Sequence, residues 1–301
     1  MNPLFDTVTI IGVGLLGGSL GQALKARGLA KTIRGVGRRQ SSLDKAIEVG
    51  AIDAAFLNMQ DAAAGAGLVV ICTPAGHATQ ALDQLRSLCG PDTIVTDVAS
   101  TKARICEHAR KTWPMPSHFV GSHPMAGSEK FGPEHATPRL FEDCVTVLEA
   151  GDHIDAEARR AVRELWLGVG ARVVEMDPIL HDAIAARTSH VPHLMAACIA
   201  AMGAIDLDTY SAEIRALIGK GFRDVTRIAA SRAETWRDIC LTNRDAVLAG
   251  LDEVLAALTQ VREAVAAGDA SAVEAFFDKG KIARDALVHD PENIPDEGTL
   301  P

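Results

Sequence analysis

Short apolar runs alternate with amphipathic stretches over roughly the first 175 residues of the chain. Strands that are buried on both faces of a parallel sheet give runs of this kind, bounded by turn residues. The predicted strands are TVTIIGVG (7–14), LVVICTP (68–74), TIVTDV (93–98), FVGSHP (119–124), CVTVLEA (144–150) and ARVVEMD (171–177).

Amphipathic stretches at about 15–28, 77–88, 100–112 and 155–168 lie between these runs and predict helices. A repeated βα alternation requires right-handed crossovers, with helices on both faces of the sheet. The pattern therefore predicts an α/β domain with a doubly wound, mostly parallel sheet.

The pattern changes after Asp177 and Pro178, where strand-like runs end and Ala-rich sequence of helical period continues to about residue 288. We predict a dinucleotide-type α/β domain over 1–177 and an all-α domain over 178–288. The remaining residues, 289–301, are polar, acidic and contain proline, which predicts a flexible tail.

One apolar stripe in the helical half has the 4-3 spacing of helix-on-helix packing. Two interpretations remain open, an intramolecular bundle and a helical interface between subunits. The stripe consists of Val247, Leu251, Val254, Leu258, Val261 and Val265.

Composition narrows the class of protein. The chain has 301 residues, 48% of them hydrophobic, with a net charge of −9. No basic patch dominates, which argues against nucleic acid or an anionic membrane as a partner. The apolar runs fall short of the ~20 residues that cross a bilayer.

The six cysteines are scattered and have no C-x-x-C spacing. Together with an N-terminus that has no export-signal pattern, they predict reduced thiols and a cytoplasmic location. Nothing in the sequence indicates a metal site.

The segment IIGVGLLGGSLGQAL places Gly12-x-Gly14-x-x-Gly17 between the first predicted strand and the first predicted helix. Such glycines allow a tight turn, close approach of a pyrophosphate and close helix–strand packing, and the helix N-terminus attracts phosphate. This context predicts a dinucleotide site in a Rossmann-type domain. Further candidate cofactor contacts are Leu15 and Leu16 in the same turn, and Thr73 and Pro74 after the strand at 68–74.

The end of the second predicted strand bears on the choice of dinucleotide. NAD sites usually carry a carboxylate there for the ribose 2′-hydroxyl, but this chain has Gly37, Arg38, Arg39 and then Ser41. Two arginines there could pair with a 2′-phosphate, since guanidinium matches phosphate geometry. A solvated basic loop is the alternative. The sequence favours NADP over NAD.

Two candidate catalytic side chains, Ser100 and His123, follow predicted strands. Open α/β sheets bind substrates beyond the carboxyl ends of their strands. Pro124 disfavours helical backbone at His123 and keeps it extended, and an imidazole there can act as a general base. A hydrogen-bonded loop histidine without a catalytic role is the alternative.

The helical half holds a second group of polar residues. His190 and His193 lie three residues apart, but no carboxylate pattern nearby supports a metal. Arg223 and Arg227 are candidates to bind a substrate carboxylate bidentately, whereas Arg/Asp pairs on helices are commonly solvated and contribute little to stability. Trp236 lies in the same block of sequence.

Five motifs, in this order and spacing, resemble the prephenate/arogenate dehydrogenase family of tyrosine biosynthesis. The resemblance covers about residues 6–265, and its His-Pro-x-Ala-Gly and Gly-Phe-Arg-Asp-x-Thr-Arg-Ile-Ala blocks are the most specific parts. The motifs are GVGLLGGSL, TDVASTK, HPMAGSEKFGPE, SHVPH and GFRDVTRIAASRAETWRDI.

The resemblance implies oxidative decarboxylation of prephenate to 4-hydroxyphenylpyruvate, of arogenate to tyrosine, or of both, with hydride transfer to NAD or NADP. It implies a homodimer built through the helical domain. Gly37 departs from NAD-using members. The segment beginning at Arg187 is more polar than in many members, which would put a charge near the substrate's side chain.

The resemblance also implies residue roles. His123 would draw the proton from the ring hydroxyl, and Ser100 would orient that hydroxyl and the histidine. Arg227 would bind a substrate carboxylate, with His190 as a second substrate-side histidine. Trp236 would reach the active site from a neighbouring subunit.

Two alternatives remain open. One is another two-domain dehydrogenase with a helical half, such as a β-hydroxyacid dehydrogenase or a pyrroline-carboxylate reductase. The other is a non-catalytic NADP-sensing protein that has kept the fold.

Overall fold

The computed structural model describes residues 2–127, 130–205 and 207–288, so the tail predicted over 289–301 lies outside the described residues. A six-stranded parallel sheet of order β3-β2-β1-β4-β5-β6 forms the centre of the N-terminal half. The α/β doubly wound sheet predicted from the sequence is confirmed. Its strands are Phe5–Ile11, Ala30–Val36, Ala54–Phe56, Leu68–Ile71, Ile94–Asp97 and Phe119–Val120 (β1–β6).

Helices cover both faces of this sheet, which explains the unbroken apolar strands. All four residues of β4 are buried. One apolar cluster contains Leu20, Leu24 and Trp166, and a second on the other face contains Leu85 and Phe119. The helices of this part are Leu15–Ala26, Gln40–Glu48, Met59–Ala63, Ala75–Leu88 and Ala103–Thr112 (α1–α5).

A second sheet of three strands follows: β7 (Ser122–Pro124), β8 (Val145–Glu149) and β9 (Arg172–Met176). The β7 strand is antiparallel to β8, and β9 is parallel to β8. The α6 helix (Ala156–Gly168) connects β8 to β9.

The prediction of one strand over FVGSHP is therefore wrong, because the chain breaks at Gly121 and its two parts join different sheets. A Cβ at Gly121 would lie 2.5 Å from Cys106 Sγ and 3.2 Å from Glu149 Oε2. Only glycine lets the backbone pass this point, since it has no Cβ. The break directs His123 away from the main sheet.

From Pro178 onward every described element is helical, as the pattern predicted. Asp177 caps the first of these helices by accepting hydrogen bonds from two backbone N–H groups. The predicted domain division at 177 falls between β9 and this helix. The helices are Pro178–Ala185, Val191–Gly203, Leu207–Leu217, Lys220–Thr226, Ala233–Thr242, Arg244–Ala267 and Ala270–Val288 (α7–α13).

A π turn, Ala186–His190, joins α7 to α8. Pro192 follows it and has no N–H, so the α-helical hydrogen bond to the carbonyl of Thr188 is lost and the helix widens. Single π turns are frequent at functional sites.

The two halves contact each other through polar groups. Asp182 on α7 accepts hydrogen bonds from the N–H groups of Lys102 (2.7 Å) and Ala103 (3.0 Å) at the start of α5. At the start of α4, Gly76 lies so close to Asp238 of α11 that a Cβ would be 2.9 Å from its carboxyl carbon.

The apolar stripe on α12 is only partly covered. Val247 is 4% exposed, whereas Leu258 and Val265 are 45% and 64% exposed. The first part of the stripe packs inside the chain and the later part does not. Among the residues that the structure describes, no single helix could span a membrane, although the bent pair Pro178–Gly203 and Asp208–Leu217 passes the length and composition criteria together.

Candidate active site

The turn between β1 and α1 has the geometry of a dinucleotide cradle. Gly12 has φ +97°, and a Cβ there would lie 2.8 Å from the carbonyl oxygen of Cys72. At Gly17 a Cβ would lie 2.3 Å from the Gly12 carbonyl oxygen, whereas at Gly14 it would meet no atom within 4 Å. Two glycines therefore permit tight packing, and the third leaves open space in front of the helix.

The start of α1 is free to bind an anion. Its first turn has no acidic residue and no side chain caps it, so its N–H groups face the open space at Gly14. Leu15 and Leu16 form this first turn and are half-buried. Thr73 lies beside Gly12, and its buried hydroxyl has no hydrogen-bond partner among the described residues. These features fit a pyrophosphate-containing cofactor.

Arg38 and Arg39 follow β2, and Ser41 lies in the first turn of α2. All three side chains are exposed, and neither arginine forms an ion pair within the described ranges. No carboxylate follows β2 directly. Two guanidinium groups are therefore available where the cofactor's ribose binds in this class of sheet.

His123 lies on β7 opposite Val147 of β8. Its side chain is buried, at 9% exposure. Its Nδ1 is 2.8 Å from Nε2 of His181 on α7. Burial lowers the pKa of His123 well below its usual range, and electrostatic interactions with His181, Lys102 and His190 lower it further. The imidazole is therefore neutral at physiological pH and able to accept a proton.

A buried ion pair fixes the segment that carries Ser100. Lys102 Nζ binds the carboxylate of Asp97, and both side chains are essentially unexposed. The same carboxylate accepts hydrogen bonds from the N–H groups of Ala99 (2.9 Å) and Ser122 (3.0 Å). Asp97 thus links β7 to the β5–α5 turn. The half-buried Ser100 lies in that turn, between Ala99 and Lys102.

His190 ends the π turn and is buried, at 1% exposure. The Nδ2 of Asn243 is 3.2 Å from its Nδ1 and donates at 2.8 Å to the carbonyl of Asp182. Burial lowers the pKa of His190 to about 4, against an opposing effect of the Asp182 carboxylate. His190 is therefore a neutral group next to the His181–Asp182 pair.

Trp236 on α11 stacks on His193 with ring centroids 3.7 Å apart, and its ring is 6.2 Å from that of His190. These contacts lie within one chain, so the approach of Trp236 from a neighbouring subunit stays a prediction. Burial and the charge of Arg227 lower the pKa of His193, whose Nδ1 donates to the carbonyl of Ser189 (2.8 Å).

Arg227 begins a short 3₁₀ turn (Arg227–Ala230) and has an exposed side chain. Its charge contributes to the lowered pKa of His193. Arg223 lies one turn earlier on α10 and is also exposed. Arg187 forms an exposed ion pair with Glu253 of α12 (2.6 Å), so its charge is engaged with α12 rather than left free.

Several polar residues around His123 were not predicted from the sequence. His181, Asp182 and Asn243 come from the helical half, and Lys102 and Asp97 from the nucleotide half. The one available signal was the His-Asp dipeptide at 181–182, directly after the last predicted strand. Among the described residues, no group of three His, Cys, Asp or Glu side chains is arranged to hold a metal ion.

A dinucleotide cradle in the nucleotide half, a neutral histidine within β7 rather than at the predicted strand exit, and polar groups supplied by the helical half define a two-domain nicotinamide-dependent dehydrogenase. Residues 20–175 match the family described as "Prephenate dehydrogenase, nucleotide-binding domain", and residues 177–279 match "Prephenate dehydrogenase, dimerization domain". The chain belongs to the prephenate dehydrogenase family.

Individual relatives agree with this assignment. The chain is 35% identical to the prephenate dehydrogenase of Bacillus subtilis, over 95% of this chain and 77% of that protein. It is 31% identical to the cyclohexadienyl dehydrogenase of Zymomonas mobilis, over 97% and 99%.

Solved structures show the same similarity. The prephenate dehydrogenase of Aquifex aeolicus, in complex with hydroxyphenyl propionate and NAD+, has a TM-score of 0.84 at 28% identity and covers 94% of this chain and 98% of that one. The Synechocystis arogenate dehydrogenase has a TM-score of 0.77 at 29% identity, over 94% and 100%. A pyrroline-5-carboxylate reductase from Coxiella burnetii, at 16% identity and TM-score 0.50, shares the fold alone.

Proposed function

We propose that this protein catalyses the oxidative decarboxylation of prephenate, arogenate or both, with hydride transfer to NAD(P)+. The observation that carries this proposal is the buried, neutral imidazole of His123, 2.8 Å from His181, in a chain whose β1–α1 turn has the glycine geometry of a dinucleotide site. The family assignment supplies the substrate class.

His123 acts as the general base. It takes the proton of the ring hydroxyl as the hydroxyl-bearing carbon loses its hydride, and Ser100 orients that hydroxyl. The bound nicotinamide would supply the hydride acceptor. The bond to the ring carboxylate breaks, CO2 leaves and the electron pair enters the ring, which becomes aromatic. The proton held by His123 then returns to the ring oxygen or passes to solvent.

The helical half binds the rest of the substrate in this proposal. Arg227, with Arg223 one turn away, offers a guanidinium to a substrate carboxylate, and charge-assisted bidentate pairs of this type are strong. His190 and Trp236, whose rings are 6.2 Å apart, are the other residues of the helical half proposed to contact the substrate. Arg227→Ala should therefore raise KM for the acid by about 10-fold or more and change kcat less. An unchanged KM would remove Arg227 from the site.

NADP is the proposed cofactor, supported by the exposed guanidinium groups of Arg38 and Arg39, which form no ion pair with the described residues, and by the missing carboxylate after β2. Ser41 would add a hydroxyl contact to the same phosphate. Replacing both arginines by alanine should raise KM for NADP by about 10-fold or more and leave KM for NAD nearly unchanged.

We also propose a homodimer that forms through the helical half, supported by the dimerization-domain match and the exposed part of the α12 stripe. We propose a cytoplasmic location as well, because all six cysteines are free thiols.

A two-by-two rate matrix tests the function directly. Prephenate and arogenate are each assayed with NAD+ and with NADP+, following formation of the reduced cofactor and release of CO2. We expect turnover with at least one acid and a preference for NADP+. Cofactor binding without turnover of either acid would refute the proposal in favour of a non-catalytic sensor, and a large preference for NAD+ would refute the cofactor assignment.

A further inference from the structure

His123, His181 and Asp182 form an unbroken line of hydrogen bonds across the boundary between the two halves. Nδ1 of His123 is 2.8 Å from Nε2 of His181, and Nδ1 of His181 is 2.8 Å from Oδ1 of Asp182. All three side chains are buried, and the two imidazole planes meet at 79°. No water lies between them at these distances, so protons on this line are shared by the three side chains alone.

The positions of the protons follow from the acceptor at the end of the line. The Asp182 carboxylate already accepts the N–H groups of Lys102 and Ala103. It has no proton to give, so Nδ1 of His181 must donate to it. With its single ring proton on Nδ1, His181 has a lone pair on Nε2, which accepts a hydrogen bond from Nδ1–H of His123. The remaining nitrogen of His123, Nε2, is left with a free lone pair.

We propose that His181 and Asp182 are positioning residues that hold His123 in the tautomer whose Nε2 is free, and that they take over the positive charge when Nε2 accepts a proton. The inference rests on the proposed function only for the source of that proton. As Nε2 of His123 gains the hydroxyl proton, the Nδ1 proton moves to Nε2 of His181. The resulting imidazolium lies next to the Asp182 carboxylate.

The surrounding charges make such a transfer useful. Burial and the charge of Lys102 disfavour a positive charge on His123, although Asp97 partly offsets the charge of Lys102. Asp182 is the carboxylate in direct hydrogen-bond contact with His181. Moving the charge from His123 to His181 therefore brings it next to the Asp182 carboxylate, which is its counter-ion.

A purely structural role is the competing interpretation, because Asp182 also joins α7 to the start of α5. The two roles differ in what they predict for kinetics. A structural contact alone would change stability and KM, whereas a positioning role changes kcat at unchanged cofactor and substrate affinity.

Two substitutions at one position separate these roles. In His181→Asn the amide can still donate to Asp182 but does not reach His123, so kcat should fall by about 10²-fold with little change in KM. In His181→Gln the amide oxygen can take the place of Nε2 and accept from His123, so the tautomer is kept and kcat should fall by only about 10-fold. His108→Asn is the matched control, since His108 makes a similar 2.7 Å contact with Asp83 on the surface; its kcat should equal that of the parent.

Histidine-selective ¹⁵N NMR of the full-length parent tests the tautomer without any variant or substrate. We expect proton-bearing Nδ1 and proton-free Nε2 on His123. A proton on Nε2 of His123 would overturn the inference, as would a kcat of His181→Asn within twofold of the parent. Parent enzyme that turns over neither acid but shows the expected tautomer would refute the proposed function and leave the positioning role supported.

Discussion

The two halves of the chain differ in how much of their apolar surface they bury themselves. In the nucleotide half, fully buried residues on both sheet faces form two apolar clusters. In the helical half, α12 buries only Val247 and Gly250, and α10 and α13 bury no residue. The nucleotide half thus covers most of its apolar surface itself, whereas the helical half leaves apolar side chains exposed that the proposed second subunit would cover.

The same difference appears in the proposed chemistry. The nucleotide half supplies groups fixed by short buried contacts, such as His123 and the Asp97–Lys102 pair. The helical half supplies both the buried His181 and Asp182 at the boundary and the exposed Arg227 farther out. The groups of the proposed proton transfer are therefore buried, whereas the arginine proposed to bind substrate is exposed. Four predictions test this contrast.

The largest effect, on kcat, is expected at His123, which belongs to the nucleotide half. His123→Asn removes the proton acceptor, so kcat should fall by about 10²–10⁴-fold while the affinity for the cofactor stays the same. Steady-state kinetics and a cofactor-binding titration measure the two quantities. Near-normal turnover would show that the base is another residue.

The second largest effect, on stability and cofactor binding, is expected at Gly17, where packing leaves no room for a side chain. A Cβ would lie 2.3 Å from the Gly12 carbonyl oxygen and 2.9 Å from Ile10 Cγ2. Gly17→Ala should lower the free energy of unfolding by about 1–3 kcal/mol and weaken cofactor binding. Denaturant unfolding that matches the parent would show that the turn relaxes freely.

The exposed face of α12 should control assembly. Leu255→Glu introduces a charge at a position that is 59% exposed in the single chain, and it should shift the dimer towards monomer in analytical ultracentrifugation. Leu57→Glu is a matched control, because Leu57 is also 59% exposed but lies in the nucleotide half. Equal dimer stability in both variants would place the interface elsewhere.

The smallest effect is expected at Gly280 in the middle of α13, where a Cβ would meet no atom within 4 Å. At an exposed position inside a helix, alanine is more stable than glycine. Gly280→Ala should therefore raise the free energy of unfolding by about 0.5–1 kcal/mol. Thermal unfolding measures the change. A loss of stability would mean that this face of α13 is covered by the partner subunit.

Local patterns predicted the features that depend on local physics. The run LVVI gave β4, the glycines after β1 predicted the turn into α1, and Asp177-Pro178 predicted the start of α7. The break at Gly121 was not predictable in this way, because its cause is contact with Cys106 and Glu149, which are distant in sequence. The wrong prediction of a single strand there hid the second sheet.

The residues around His123 show the same limit. His123 was predicted as a site residue because it follows a predicted strand. His181 and Asp182 were not predicted, because a His-Asp dipeptide alone indicates no function. Their arrangement depends on α7 docking against α5, which no local pattern encodes. The α12 stripe left two interpretations open, and the structure divides it between them: Val247 is covered by its own chain and Val265 is not.

Asp182 binds the start of α5 and His181 through the same oxygen: its Oδ1 is 2.7 Å from the backbone N of Lys102 and 2.8 Å from Nδ1 of His181, while its Oδ2 accepts from Ala103. Separation of α7 from α5 would break the contacts of Asp182 with Lys102 and Ala103, and it would also draw His181, which lies on the same helix, away from His123. The proposed transfer of a proton from His123 to His181 would therefore require α7 to stay docked on α5.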